Sequence, residues 1–524
     1  MVKMNYKLIF NLFIIASVVI GSNRNLQAQE MAIEIEDNFK IRGFHLDLRI
    51  QVMTPKALEN FAKELSDFGL NTLIVEWEAT YPFKNHATIS NELSYSREEI
   101  KSFIGYCNNL GIQVIPLQQS LGHVEYILRN SRYSHLKEDK KDISQLCPLK
   151  NEENKQLFTE LFSDMASMHN SDYIHIGGDE TYLLGHCEDC SKKVAEEGKS
   201  KLFVDHIKMI TEIIINLGKK PVMWADIILK YPEAADELPK ETIFIDWNYG
   251  WKTNYFGDVG SLQEKGFKFW GAPAIRSHPD DWFLTEWEKH FNNQRDFIPY
   301  AHKAAYEGVI MTSWSTSGLY GFNWDVGYSV IEMKQIRNTY PLSGFRILIA
   351  AYAQALKQKE PINPKEFVTE YAMEQFQLSA KGGEKLWEAL TVAPELIVNG
   401  KPTESKSIAE MRLNSEVAQN ILYMLKPSNH KNEFEHFRLM ADLRQNYLEF
   451  KEIELKYNSD QFTDEGINGL LLALKKVLGQ ARELDLRFMD LNKYLLYDFE
   501  IREQNNIRVK SMKILYNRLA KKKN

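Results

Sequence analysis

Two acidic side chains stand next to each other at the end of Tyr173-Ile174-His175-Ile176-Gly177-Gly178-Asp179-Glu180. The stretch begins as a short apolar run of β type, gives up its side chains at two glycines, and stops on the carboxyls. A strand that ends in this way pushes acids out of a packed sheet into a cleft, and the glycines let a ligand or neighbouring backbone come close. Adjacent like charges repel, so one carboxyl should hold its proton better than the other. That split lets two carboxyls serve as acid and base at one pH. A strand end whose Asp-Glu pair only caps the next helix would read the same on spacing alone.

Something must carry that pair, and the chain from residue 40 to about 340 supplies candidates. Eight short β-type runs alternate with helical patterns: Ile41–Asp47, Thr72–Trp77, Gln113–Pro116, Tyr173–Gly177, Pro221–Trp224, Thr242–Asp246, Phe267–Trp270 and Val309–Trp314. Several are nearly continuous in apolar residues, as strands buried on both faces must be. Between them lies helix punctuation. Thr54-Pro55 caps and opens a helix with Leu58, Phe61, Leu65 and Phe68 on one face, and Gly69 stops it. Ser96 and Glu99 form a capping box ahead of Ile100, Phe103, Cys107 and Leu110, with Gly111 as the stop.

Eight such units predict an α/β fold, a (β/α)8 TIM barrel, followed by a helical C-terminal region. A doubly wound open sheet is the other arrangement, but no glycine-rich phosphate loop follows the first strand. In a barrel, function gathers where the strands end. Those ends hold Asp47 and Arg49, Glu76 to Glu78, Gln118 to His123, Asp179-Glu180, Trp224 and Asp226, Trp247 and Tyr249, Trp270, and Trp314. Acids, aromatics, one His and one Arg gather on one rim, which weighs against mere helix capping; the 12% aromatic content suits stacking on sugar rings, though core packing uses aromatics too.

Beyond Pro361 and Pro364 strand signals cease, and Leu470, Leu474, Val477 and Ala481 keep helical spacing. The expected organisation is a signal peptide over 1–28, a catalytic barrel over 31–360 and an α-helical domain over 361–524. Lys3 and Lys7 precede an apolar run from Leu8 to Ile20, and cleavage after Ala28 would give an exported protein, periplasmic or secreted. No stable membrane span is expected after cleavage. The 524 residues carry a net charge of −7, which argues against a nucleic-acid partner. The four cysteines are Cys107, Cys147, Cys187 and Cys190. His186 and the Cys187-x-x-Cys190 pair are a possible chelate, but no second such pair completes it. A local disulfide or free thiols is the expectation, with no metal and no cofactor.

His175-Ile176-Gly177-Gly178-Asp179-Glu180 resembles the H-x-G-G-D-E motif of glycoside hydrolase family 20, the β-N-acetylhexosaminidases. Arg42 to Asp47 resembles that family's first strand, Ile115 to Glu125 its third, Pro221 to Asp226 its fifth and Thr312-Ser313-Trp314 its eighth. The likeness is nearest to the hexosaminidase D-like branch and covers roughly residues 40 to 330. It implies retaining, substrate-assisted hydrolysis of terminal β-linked GlcNAc or GalNAc, with N-acetylhexosamine-containing glycans as partners. Asp179 would hold the acetamido nitrogen and Glu180 would be the acid and base, its pKa raised by the charge of Asp179.

The resemblance further implies Arg42 on ring hydroxyls, Trp224, Trp247 and Trp314 around the acetamido methyl, and Tyr249 on the acetamido oxygen. His123 and Glu78 would tune Glu180, or His123 would be structural; Asp226 would bind a hydroxyl or cap a helix. Thr316 stands where many members carry a hydroxyl-binding Glu, which leaves the gluco or galacto choice open. The alternative to an enzyme is a catalytically inactive sugar-binding protein on the same fold.

Overall fold

Eight parallel staves close on themselves. In the computed structural model, which describes residues 39–315, 321–323, 334–336, 339–398, 401–403 and 405–523, these are β1 (Ile41–Asp47), β2 (Thr72–Glu76), β3 (Gln113–Leu117), β4 (Tyr173–His175), β5 (Lys220–Trp224), β6 (Ile243–Trp247), β7 (Lys268–Ala272) and β9 (Gly308–Ser313). They pair in sequence order, and β9 returns to β1, with Ile41 opposite Gly308 and Leu46 opposite Ser313. A short β8 (Ala274–Arg276) carries the seventh stave on past Pro273, still alongside β9. This extension was not visible in the sequence, because Pro273 interrupts the apolar run. The residues given above to a signal peptide, and Thr316, lie outside the described residues.

The barrel interior is a packed layer: Ile74, Ile115, Val222, Trp224, Ile245, Trp270 and Ile310 meet there, all nearly inaccessible. That continuous burial is why the strands read as unbroken apolar runs. Around them run α1 (Pro55–Asp67), α2 (Arg97–Asn109), α3 (Asn151–Met168), α4 (Glu188–Glu197), α5 (Lys199–Asn216), α6 (Trp287–Lys303) and α7 (Arg346–Ala355). The expected caps form. Thr54 accepts from the Ala57 N–H, and Ser96 and Glu99 close both halves of their capping box. The fifth crossover departs from the pattern, with only short 3-10 turns at Ile228–Lys230 and Ala234–Glu237.

α7 seals the first and last staves. Tyr352 Oη lies 2.9 and 2.8 Å from the carbonyls of Gly43 and Val309. Gly43 leaves room for a close neighbour, since a Cβ there would sit 2.2 Å from Ile310 Cδ1 and force that side chain to move.

Six further helices follow: α8 (Pro364–Phe376), α9 (Ala380–Thr391), α10 (Ile408–Met424), α11 (Lys431–Tyr457), α12 (Ile467–Asn492) and α13 (Asp498–Lys523). Leu470, Leu474, Val477 and Ala481 form the buried stripe of α12. One small hairpin, Ile397–Val398 against Lys401–Pro402, breaks the all-helical expectation. Residues 41–524 make one compact unit. Its helices reach the loop that leaves β1: the Val52 N–H donates to Glu500 Oε1 at 3.1 Å and the Thr54 N–H to the Leu495 carbonyl at 3.0 Å. Gln51 in the same loop accepts from Arg276 Nη1 at 2.6 Å.

Candidate active site

β4 is only three residues long, and the chain then leaves the sheet through two left-handed glycines, Gly177 at φ 71° and Gly178 at φ 93°. A Cβ on Gly177 would lie 1.9 Å from Gln119 Oε1, so the turn admits only glycine. The turn delivers Asp179 and Glu180 to the mouth, Glu180 itself at φ 48°. Opposite, the loop after β3 brings His123, at φ 55°. Gly122 lets that loop press close, for a Cβ there would stand 2.8 Å from the Asp179 carbonyl. Two side-chain-bearing residues held in the left-handed region cost about 1–3 kcal/mol each, a strain that marks functional sites.

His123 Nε2 sits 3.5 Å from Asp179 Oδ2 and 3.3 Å from Glu180 Oε2. Burial works against an imidazolium here, but the Asp179 charge and the contacts with both carboxyls outweigh it and raise the pKa well above the ordinary value. Both carboxyls thus favour the charged form of His123. Tyr182 Oη donates to Glu180 Oε1 at 2.6 Å. Burial alone would raise the Glu180 pKa, yet His123 and Tyr182 together bring it below the usual carboxylate value. The expectation that Asp179 would raise Glu180 is thus overturned in the ligand-free site, because the neighbours that face Glu180 stabilise its charge.

The raised carboxyl is Asp226. It is buried beside Asp179, and burial followed by that negative neighbour pushes its pKa up to about 7. Its oxygens accept from the Glu180 N–H at 3.2 Å and from Trp247 Nε1 at 3.4 Å. Asp226 holds the turn that aims Glu180. Asp179 has a different environment: Oδ1 is buried with no hydrogen-bond partner among the described residues, which leaves an acceptor for a ligand N–H.

These groups open onto a cavity of about 750 Å³. Trp224 makes part of its lining, and Trp247 and Trp314 stand half-buried around it. Trp314 Nε1 donates to Tyr249 Oη at 2.8 Å, which fixes the phenol at the rim. Asp179, Glu180, His123, Trp224, Asp226, Trp247, Tyr249 and Trp314 all line one space.

Arg42 does not join them. It is the second residue of β1 and pairs with Val309 near the start of β9, while its Nε donates to the Gly69 carbonyl at 3.0 Å in the turn that leads into β2. At about 3.3 Å per residue, it lies about 16 Å down the strand from Asp47 and the mouth. Arg49, two residues past the end of β1, takes the place instead. Its guanidinium forks onto Asp47, Nε to Oδ1 at 3.0 Å and Nη2 to Oδ2 at 3.3 Å, and passes over the Trp314 ring. Glu78 is likewise displaced from its expected role. It is 1% exposed, burial raises its pKa, and the charge of Arg49 works against that rise.

Other lining residues were not singled out in the sequence. Trp251, Tyr255 and Phe256 continue the aromatic wall from Trp247, with Trp247 and Phe256 ring centroids 4.4 Å apart. Tyr182, Lys230, Ser277 and His278 complete it. The aromatic density after β6 was the available signal.

Stacking faces, a fork-bearing arginine and a carboxyl pair in a barrel mouth suit a pyranose ring, and fold and site together define a barrel glycoside hydrolase. The sequence profile of the glycosyl hydrolase family 20 catalytic domain matches residues 39–319, and the chain belongs to that family. Hexosaminidase D of Bos taurus is 26% identical over 291 residues, covering 52% of this chain and 84% of that protein. Hexosaminidase D of Homo sapiens is 26% identical over 294 residues, covering 53% of this chain but 60% of that protein. Among solved structures, a β-N-acetylhexosaminidase from Bacteroides fragilis NCTC 9343 covers 64% of this chain and 69% of its own, at 19% identity and a TM-score of 0.49.

Proposed function

We propose that the protein is an exported exo-β-N-acetylhexosaminidase that releases terminal β-linked GlcNAc or GalNAc by substrate-assisted catalysis with retention. The observation that carries this reading is the unpartnered, buried Asp179 Oδ1 beside Glu180 in the cavity. That oxygen accepts the acetamido N–H and turns the acetamido oxygen toward the anomeric carbon. The tethered oxygen attacks, gaining the large effective molarity of an intramolecular nucleophile. The anomeric C–O bond breaks, its electron pair stays on the leaving oxygen, and an oxazolinium ion forms whose positive charge faces Asp179.

Glu180 protonates the leaving oxygen and then takes a proton from the water that opens the oxazolinium. His123 Nε2, 3.3 Å from Glu180 Oε2, is placed to hand Glu180 that proton. The pair holds one proton between them, and a bound sugar that dries Glu180 shifts it onto the carboxyl. Arg49, aimed by its fork onto Asp47, serves the ring hydroxyls in the place first given to Arg42. Trp224, Trp247 and Trp314 enclose the acetamido methyl, and Tyr249 bonds the acetamido oxygen. The Lys3, Lys7 and Leu8–Ile20 pattern supports export.

The test compares leaving groups. Glu180→Gln lowers turnover of an alkyl β-N-acetylhexosaminide by about 10³-fold and of an activated aryl glycoside far less. Equal losses contradict the acid role. Cleavage of the matching 2-hydroxy glycoside as fast as the acetamido sugar contradicts substrate assistance. No turnover of either GlcNAc or GalNAc aryl glycosides by the intact protein leaves the sugar-binding alternative standing.

A further inference from the structure

Three of the four cysteines come together beside the active site. Cys147 Sγ lies 3.5 Å from Cys190 Sγ and 3.8 Å from Cys187 Sγ. Cys187 and Cys190 come from the loop and first helical turn that follow Asp179-Glu180. Cys147 arrives from the loop after β3, 40 residues earlier in sequence than Cys187. The sequence showed one Cys-x-x-Cys pair and no second pair, and so gave no complete chelate; the missing thiol is supplied by the fold.

A fourth donor faces the same point. Glu138 is 2% exposed, and its Oε1 accepts the N–H groups of His186 and Cys187 at 2.7 and 2.9 Å. Its Oε2 is buried with no hydrogen-bond partner among the described residues. One donor atom from each of Glu138, Cys147, Cys187 and Cys190 lies within 4.8 Å of the others. His186, once a candidate chelator, is turned away to Asp139 at 2.7 Å.

We infer that Glu138, Cys147, Cys187 and Cys190 form a structural site for a thiophilic divalent cation, zinc, that fastens the loops after β3 and β4 to each other. Tetrahedral zinc with bonds of about 2.3 Å separates its sulfurs by about 3.8 Å, close to the 3.5 and 3.8 Å between Cys147 Sγ and the other two thiols. A disulfide would require about 2.05 Å and would leave the third thiol and the Glu138 oxygen unused. Cys187 is the N-cap of α4 and Cys190 lies in its first turn, with the Cys190 N–H donating to Cys187 Sγ, so the helix end holds these two sulfurs in place. On binding, the thiols release their protons and the Glu138 carboxylate completes a closed, four-ligand shell.

The position explains what such a clamp does. Glu138 and Cys147 sit on two arms joined by the bridge between Lys137 and Leu146, and the Leu146 N–H donates to Leu121, two residues before His123. The Leu183 N–H, next to Tyr182, donates to Gln145 Oε1 at 3.0 Å. Fixing the four donors therefore fixes the spacing between His123 on one loop and Asp179, Glu180 and Tyr182 on the other.

Metal content of the full-length protein, purified under reducing conditions, tests the site without any substrate, so its failure is separable from failure of the hexosaminidase reading. We expect about one zinc per chain, falling below about one-tenth in Cys147→Ser and Cys190→Ser and unchanged in Cys107→Ser. Should the serine variants fail to fold, an organomercurial titration of the unaltered protein decides the matter, since zinc release must coincide with the reaction of three thiols. Zinc removal should also speed amide exchange in residues 118–147 and 176–190 while leaving β1 and β9 protected. A protein that stays metal-free after zinc loading, or an intact mass showing a reducible disulfide among these three cysteines, overturns the proposal. Unchanged exchange in both loops overturns the clamp.

Discussion

The barrel mouth and the C-terminal helices follow local rules to different degrees. In the helices the rules hold: Asn363 and Ser379 cap α8 and α9, Ser407 and Glu410 form a complete capping box on α10, and the left-handed residues Gln377 and His430 sit at helix ends. At the mouth, Glu78, His123 and Glu180 occupy left-handed backbone that their side chains disfavour, and Asp179 Oδ1 and Trp224 Nε1 are buried without partners. The helix ends keep to local rules, whereas the mouth spends stability on holding reactive groups in place. The two are connected. Val52 and Thr54, which follow Arg49 in the loop after β1, are bonded to Glu500 and Leu495 of the helical region.

The largest expected effect lies at the mouth. Asp179→Asn should lower kcat about 10²- to 10³-fold on good and poor leaving groups alike, because it weakens the acetamido step common to both. It should leave thermal stability nearly unchanged. A loss confined to poor leaving groups would break the assignment of roles within the pair.

Two arginines, Arg42 within β1 and Arg49 just past its end, offer a sharper contrast. Arg49→Lys keeps the charge but loses the planar fork and should reduce kcat/KM about 10- to 100-fold. Arg42→Lys, at the far end, should stay within about twofold of the parent. Similar losses from both would mean that β1 does not present its C-terminal end to the substrate.

Asp226 tests the electrostatic cost of the mouth. Its folded pKa of about 7 lies above the ordinary carboxylate value, so the folded state favours its protonated form. The stability this contributes is fully present below about pH 4 and is lost as pH rises through about 7. Between pH 5 and pH 8 the parent should lose about 3 kcal/mol more stability than Asp226→Asn, read from denaturant midpoints at each pH. Parallel pH profiles would show that Asp226 is not the strained carboxyl. The smallest effect belongs to the helices: Ser407→Ala should cost about 1 kcal/mol of stability and leave kcat and KM unaltered.

Local chemistry explains what could be read from residue order. The eight staves were legible because strands buried on both faces must be continuously apolar, and α1 and α2 because Thr54-Pro55 and Ser96-Glu99 cap their own helices. Asp179 and Glu180 stood out because two glycines and two acids end a strand within four positions.

The sequence by itself determined the barrel, the acid pair and the aromatic character of the rim, since each depends on neighbours a few residues apart. Tertiary structure alone decided which arginine reaches the mouth, because that depends on where along the barrel axis β1 ends. It decided that Asp226 and not Glu180 is the raised carboxyl, because burial and facing charges come from other loops. It also brought Cys147 and Glu138 to the Cys187–Cys190 pair, a meeting of segments that no local spacing encodes.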